Sequence, residues 1–351
     1  MELIRGFTHL REPHRGSVVT VGTFDGLHLG HQALISLLKN HAERVGRPAM
    51  LLTFEPTPRE FLAPHDPPAR LTSLRERWRL LEGMGLESVW LLRFCDALRR
   101  MSGEEFARLL AHELRAPTVV IGHDFRFGRN GESTAATLVE AGRGLGFTVE
   151  VVEPVMLNGD RVSSSGIRAA LARGDLEFAR GWLGRTYSMR GRVIRGNQLG
   201  RTLGFPTANL RVERRRVALS GIFAVRVHGA TGRSSSGAGP VPAAGLAGVA
   251  SLGTRPTVAG VETLLEAHVF DFSGDLYGRE IEVEFVAKLR DEERFDSLGA
   301  LTDQMNRDAA QARSILNEQA AKTTPSEMKS GPPQTTAPLR GRKAPQATFA
   351  S

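Results

Sequence analysis

The chain has 351 residues, 41% of them hydrophobic, with one cysteine and a formal net charge of +8. That length predicts two domains with sizeable cores, and with no apolar run of about 18 residues no membrane-spanning helix is expected. Cys95, with no second cysteine, excludes an internal disulfide; it reads as a structural residue beside Phe94 and suits a reducing cytoplasm. Residues 1–6 lack the apolar stretch of a secretory signal. The arginine excess raises nucleic acid as a partner. Aromatic residues, however, are 6% of the chain and do not interleave with basic runs such as 75–79 and 214–216, so a solvated basic surface is expected.

From residue 17 to about 183, strands and helices alternate. Val18, Val19 and Val21 predict a buried strand, and Leu34, Leu37, Leu38 and Val45 one apolar helix face. The turn between them reads G-T-F-D-G-L-H-L-G-H from Gly22 to His31. Gly30 lets a ligand approach the backbone, and a helix start favours phosphate. His28 and His31, three residues apart, can flank one phosphate and steady charge on it. Further strands at 48–54, 88–92, 118–122 and 148–152 are separated by helices at 71–84, 102–114 and 135–145. This pattern predicts a parallel, doubly wound sheet with ligands at the strand carboxyl ends. Phe54 with Pro56 and Pro58 lies at one such end, and Gly122 with Asp124 and Phe125 at another. Residues 163–168 read S-S-S-G-I-R before a helix predicted over 167–173. Their hydroxyls and Arg168 are candidates to converge on a polyphosphate.

The period changes near 183–187. Short strands at 188–194, 222–227, 246–251, 263–272 and 281–287, with Gly-rich turns, predict a small closed β-barrel and a final helix over 298–316. After the first barrel strand, Gly196, Gly200 and Gly204 predict a loop that wraps phosphates, with Arg201 inside it. Thr207 and Asn209 then offer the oxygen ligands that Mg²⁺ takes alongside substrate phosphates. Farther on, Leu265, Ala267 and Val269 share one strand face, and Glu266 and His268 the other. Residues 230–245 read as a long flexible loop, and those after about 320 as a disordered tail.

The His-x-Gly-His turn resembles the nucleotidylyltransferase superfamily, whose signature sets these histidines on the α- and β-phosphates of a nucleotide. Together with T-F-E-P-T-P at 53–58, G-H-D-F-R-F-G at 122–128 and 163–168, it resembles the FAD synthetase module of the bacterial bifunctional riboflavin kinase/FAD synthetases. That resemblance covers roughly residues 15–183. The family's usual T-F-D-P-H-P stands here with Glu55 and Thr57; His123 occupies a position often acidic, and Ser165 and Gly166 stand within its S-S-T-x-I/V-R. G-F-P-T-A-N at 204–209, the 250–257 loop and D-F-S-G-D-L-Y-G at 271–278 resemble the riboflavin kinase signature.

The resemblance implies a FAD synthetase domain at 1–183 and a kinase barrel at 184–318, which leaves the expected disordered tail at 319–351. It implies that the barrel phosphorylates riboflavin to FMN with MgATP, Thr207 and Asn209 near Mg²⁺ and Glu266 as general base. The first domain then joins FMN to ATP, giving FAD and pyrophosphate. His28 and His31 steady the α-phosphate, and Ser164 and Arg168 hold the polyphosphate. Gly22, Phe24, Asp25, Gly30 and Ser165 complete the expected ATP wall; Phe54, Pro56, Pro58, Asp124 and Phe125 are the expected flavin contacts. The implied partners are small molecules, with no nucleic acid or membrane, and the oligomeric state stays open. Two other classes stay open on the residues alone. One is a nucleotidylyltransferase making a CDP-alcohol or a nicotinamide dinucleotide; the other is a non-enzymatic flavin- or nucleic-acid-binding protein.

Overall fold

The computed structural model of the chain describes residues 1–196, 200, 203–230, 233–234, 245–257 and 260–322, without side chains at 233–234, 255–257 and 260–262. Arg201, most of the 230–245 loop and the tail from 323 therefore lie outside the described residues.

The first sheet contains Glu2–Arg5 (β1), Val18–Val21 (β2), Ala49–Phe54 (β3), Ser88–Leu92 (β4), Thr118–Gly122 (β5) and Thr148–Val152 (β6). All neighbours are parallel, in the order β1-β4-β3-β2-β5-β6. The central strands are continuous apolar runs because both faces are covered; all six residues of β3 are buried. Alternate residues serve opposite layers. Val19, Val21, Met50 and Leu52 pack with Phe106, Leu110 and Leu138, whereas Val18, Leu51 and Val89 pack with Ile35, Leu38 and Leu81. The covering helices are Leu29–Val45 (α1), Pro58–Leu62 (α2), Leu74–Gly83 (α3), Asp96–Arg100 (α4), Gly103–Arg108 (α5), Ala135–Leu145 (α6), Ser164–Ala172 (α7) and Leu176–Leu183 (α8).

Helices α2, α4 and α8 lie outside the expected elements, α3 is shorter than the expected 71–84, and other details differ as well. β1 is an added edge strand in which only Ile4 is buried, too short a pattern to read from sequence. The helix expected over 102–114 stops at Arg108 and continues as a π-helical turn, Leu109–Glu113. α7 starts at Ser164 rather than 167, because the Ser163 hydroxyl already accepts the Gly166 amide at 3.1 Å.

The second sheet closes into an antiparallel barrel. Its strands are Ser188–Ile194 (β7), Ala208–Arg211 (β8), Gly221–His228 (β9), Leu246–Thr257 (β10), Gly260–Val269 (β11) and Glu280–Arg290 (β12), in the order β7-β8-β11-β10-β9-β12. β8 falls inside the stretch that reads as a glycine-rich turn. Helix Leu298–Lys322 (α9) packs Ala312 and Leu316 against Ala224 and Phe270. It runs past the expected end at 316 and the expected boundary at 318.

The two units share a seam. The barrel's apolar interior is continuous with Ile167, Leu171 and Trp182 of α7 and α8. Arg214 corrects the expectation of a solvated basic cluster: it is buried and donates to Glu76 of α3 at 2.5 Å. The same carboxylate accepts the Ser73 amide at 2.6 Å and the Arg190 amide of β7 at 2.7 Å. Arg77 is also buried and donates to the Thr23 carbonyl at 2.5 Å and to Glu55 at 3.1 Å. Removing one partner of a buried pair strands the other charge. Arg214→Met is expected to lower unfolding stability by about 3 kcal/mol, and Glu76→Gln added to it to recover part of that loss. Urea titration of both variants measures this.

Candidate functional sites

In the first sheet, β3 and β5 lie on opposite sides of β2, so the chain switches direction there and the strand ends open a crevice. A cavity of about 710 Å³ occupies it, within the usual range for small-molecule sites. Gly22, Phe24, Asp25, His28, Gly30, His31, Phe54, Pro58, Asp124, Phe125, Ser164, Ser165 and Arg168 all line this cavity. Pro56 does not; it lines a separate cleft between the two units.

The turn that carries the histidines is held in an uncommon backbone shape. Phe24 and Leu27 adopt φ of 53° and 43°, and each is 1% exposed. Burial of the two side chains offsets that local cost. His28 caps α1, its Nδ1 accepting the His31 amide at 3.3 Å. Its proton therefore sits on Nε2. The two imidazoles do not flank a gap as expected. They stack, with centroids 3.6 Å apart and planes at 19°, and form one wall. A Cβ on Gly30 would lie 3.2 Å from the His28 ring, so this cavity-lining glycine also makes room for the imidazole.

Burial lowers the His28 pKa to about 4 against the opposing pull of Asp25, and it lowers His31 well below its usual value, with His28 adding to the effect. Both rings are neutral at pH 7. His31 Nδ1 is buried and has no hydrogen-bond partner. Since His28 binds a proton more weakly when folded, stability is unaffected above its unfolded pKa of 6.5 and falls as the pH drops from there toward 4. The full contribution is about 3 kcal/mol. His28→Gln is expected to flatten that part of a stability–pH profile measured by chemical denaturation.

Asp25 lines the cavity, and its carboxylate is taken up by the chain itself. Its carboxylate accepts the Leu71 amide at 3.1 Å, the Thr72 amide at 2.9 Å and Arg168 at 2.6 Å. Arg168 also donates to the Ala69 carbonyl at 2.6 Å. Asp25 and Arg168 thus latch the 69–72 segment beside the histidine turn. Five N–H donors on a guanidinium leave Arg168 others for the cavity. Ser164 donates to the Asp25 carbonyl at 2.8 Å, whereas Ser165 is exposed at the start of α7. Phe54 packs edge-on to Phe94, and Phe125 stacks on Phe127. Asp124 pairs with Arg161, a cavity residue that no motif marks. Arg70, likewise unmarked, lines the same wall and pairs with Glu55 and Glu60.

The barrel assembles a second cluster. In register, Asn209 of β8 lies directly opposite Ile194 of β7 and Glu266 of β11. Leu265 and Ala267 are fully buried and Glu266 and His268 half-buried, as strand alternation predicts. His268 Nδ1 hydrogen-bonds the Pro206 carbonyl at 2.9 Å. Two of the loop glycines lie close against this cluster and its approach. A Cβ on Gly196 would lie 2.5 Å from Asn209 Oδ1, and one on Gly200 would lie 2.3 Å from the Phe205 carbonyl oxygen and 3.4 Å from Thr207 Oγ1. Gly204 serves differently, supplying φ of 81° with open space around it.

Comparison with known proteins adds independent findings. A FAD synthetase family model matches residues 10–166, and a riboflavin kinase family model matches 183–316. The chain is 43% identical to a bifunctional riboflavin kinase/FMN adenylyltransferase of Pseudomonas fluorescens, over 90% of this chain and 98% of that one. It is 41% identical to the protein of the same description in Escherichia coli (strain K12), with the same coverage. A solved structure described as a macrolide-efflux protein from Streptococcus pneumoniae has the same fold, with a TM-score of 0.73 at 30% identity over 88% of this chain and 97% of that one. Among the described residues here, no helix is long and apolar enough to cross a membrane. With both family models matched in order and the curated relatives matched nearly end to end, the chain belongs to the bifunctional riboflavin kinase/FMN adenylyltransferase family.

Proposed function

We propose that the chain makes FAD in two steps, with residues from 184 onward phosphorylating riboflavin and residues 1–183 adenylylating the FMN formed. One observation carries this reading: the barrel register sets Glu266 opposite Asn209, whose side chain only a glycine at 196 leaves room for, in a chain that also holds a histidine-walled crevice.

In the barrel, Glu266 takes the proton of the ribityl 5′-hydroxyl as its oxygen attacks the γ-phosphorus of ATP, and ADP leaves. Thr207 and Asn209 would hold Mg²⁺. They fit a hard cation, since both offer oxygen, and the side chain of Asn209 sits in a cradle that only a glycine at 196 leaves open. Mg²⁺, when bound, neutralises charge on the phosphates. Gly196 and Gly200 let the chain pack against Asn209 and Phe205, Gly204 supplies the left-handed turn, and the amides of this stretch are assigned to the nucleotide phosphates.

In the first domain, a phosphate oxygen of FMN attacks the α-phosphorus of ATP and pyrophosphate leaves. The His28 Nε2–H and the neighbouring His31 imidazole meet the charge that develops on the α-phosphate. The free donors of Arg168, the amides at the start of α7 and Ser165 take the leaving phosphates. Phe54, Pro58 and Phe125 supply the apolar wall for a flat ring system. Pro56 has no place in this scheme. Neither step requires a covalent enzyme intermediate. The reading places both reactions in the cytoplasm, with no nucleic acid or membrane as partner.

Incubation with riboflavin, ATP and Mg²⁺, followed by chromatography, tests the scheme. FMN and then FAD are expected, with ADP and pyrophosphate in matching amounts. Absence of FMN overturns the barrel assignment, and FMN without FAD overturns that of the first domain.

A further inference from the structure

The turn that delivers His28 is gripped from outside its own domain. Arg185 follows Gly184, where α8 ends, and precedes the first barrel strand. Its Nη2 donates to the Gly26 carbonyl at 2.8 Å, and its Nη1 to the carbonyls of Leu27 at 3.3 Å and Leu183 at 3.4 Å. Gln32 runs parallel to it, donating to Leu27 at 2.9 Å and Leu183 at 2.8 Å. Among the described residues Arg185 makes no ion pair, and burial pulls its pKa down against the attraction of Glu76 and Glu282. A half-buried cation without a carboxylate partner is costly unless hydrogen bonds satisfy it. Here backbone carbonyls satisfy it, two of them in the turn between Asp25 and His28. That turn holds Leu27 at φ of 43°, an uncommon backbone shape for a residue with a side chain, and the Arg185 and Gln32 donors sit on its carbonyls.

We propose that Arg185 is a positioning residue for adenylyl transfer: from the domain junction it fixes the Gly26–Leu27 peptides, and through them the His28–His31 wall. The inference rests on the assignment of those histidines to the α-phosphate. Misplacement by about 1 Å costs on the order of 10²-fold in rate when a group must meet transition-state charge. The effect therefore falls on kcat.

The test uses the full-length chain and follows both reactions in each preparation. For Arg185→Gln, kcat for FAD formation is expected to drop roughly 30-fold, with KM for FMN and the riboflavin kinase rate each within about twofold of wild type. Arg185→Lys keeps one donor and is expected to recover part of the loss, which a general loss of folding would not show. If Arg185→Gln does not fold, Gln32→Met is expected to give a smaller drop in the same parameter alone. An unchanged kcat for FAD formation overturns the proposal, as does a parallel fall of both activities with a lower melting temperature. His31→Ala in the same assay separates the two ideas. If it is inactive for FAD formation while Arg185→Gln and Gln32→Met are fully active, only the positioning role fails. If it keeps full activity, the histidine assignment fails and the positioning role with it.

Discussion

Glu266→Gln is expected to slow FMN formation from riboflavin by roughly three orders of magnitude, while FMN supplied directly is still converted to FAD at the unaltered rate. Glutamine preserves volume and strand propensity, so β11 keeps its register against Asn209 and Ser251. What it removes is the carboxylate that accepts the hydroxyl proton. The two half-reactions, assayed separately on one preparation, give the answer. Loss of both rates in a folded protein would show that the sites are not divided between the domains. An unaffected kinase rate would remove Glu266 from the chemistry.

His31→Ala is expected to do the opposite: FMN accumulates, and FAD formation falls by about 10²–10³-fold. The substitution deletes the ring stacked 3.6 Å from His28 and leaves that imidazole without its neighbour. It also removes a contact with Phe24, whose ring lies 5.0 Å from that of His31, so some stability is lost with it. The riboflavin kinase rate of the same sample reports whether the chain is still folded. FAD formation at the wild-type rate would exclude the histidine wall from catalysis.

Much of this was legible in the sequence, for identifiable reasons. Doubly covered strands are continuous apolar runs, so β2 to β5 stood out, and the histidine turn was bracketed by a clear strand and a clear helix. β1 was hidden because four edge residues with one buried side chain carry no period. β8 was hidden because its four residues directly follow the glycine loop and its buried Asn209 does not look like a strand residue. Within the crevice, the motif residues were found but their mutual arrangement was not. Asp25 and Arg168 read as two ligand contacts, and they turn out to bond each other and the 69–72 segment. Arg161, Arg70 and Arg185 were missed, since each reaches the site or its turn through tertiary contacts far away in sequence. Arg214 was misread for the same reason: three consecutive arginines look like surface, and only the packing of α3 against the barrel shows which one is interior.

Glu76 gives the two halves of the chain less independence than their separate family matches suggest. One carboxylate closes the capping box at the start of α3 through the Ser73 amide and also grips the barrel through Arg190 and Arg214. Neither half is therefore a freely exchangeable module. Any other barrel grafted after α8 must bring a cation and an amide to that carboxylate, and any other first domain must offer an acid to Arg214. The join between the two enzymes is a matched lock whose two parts have to change together.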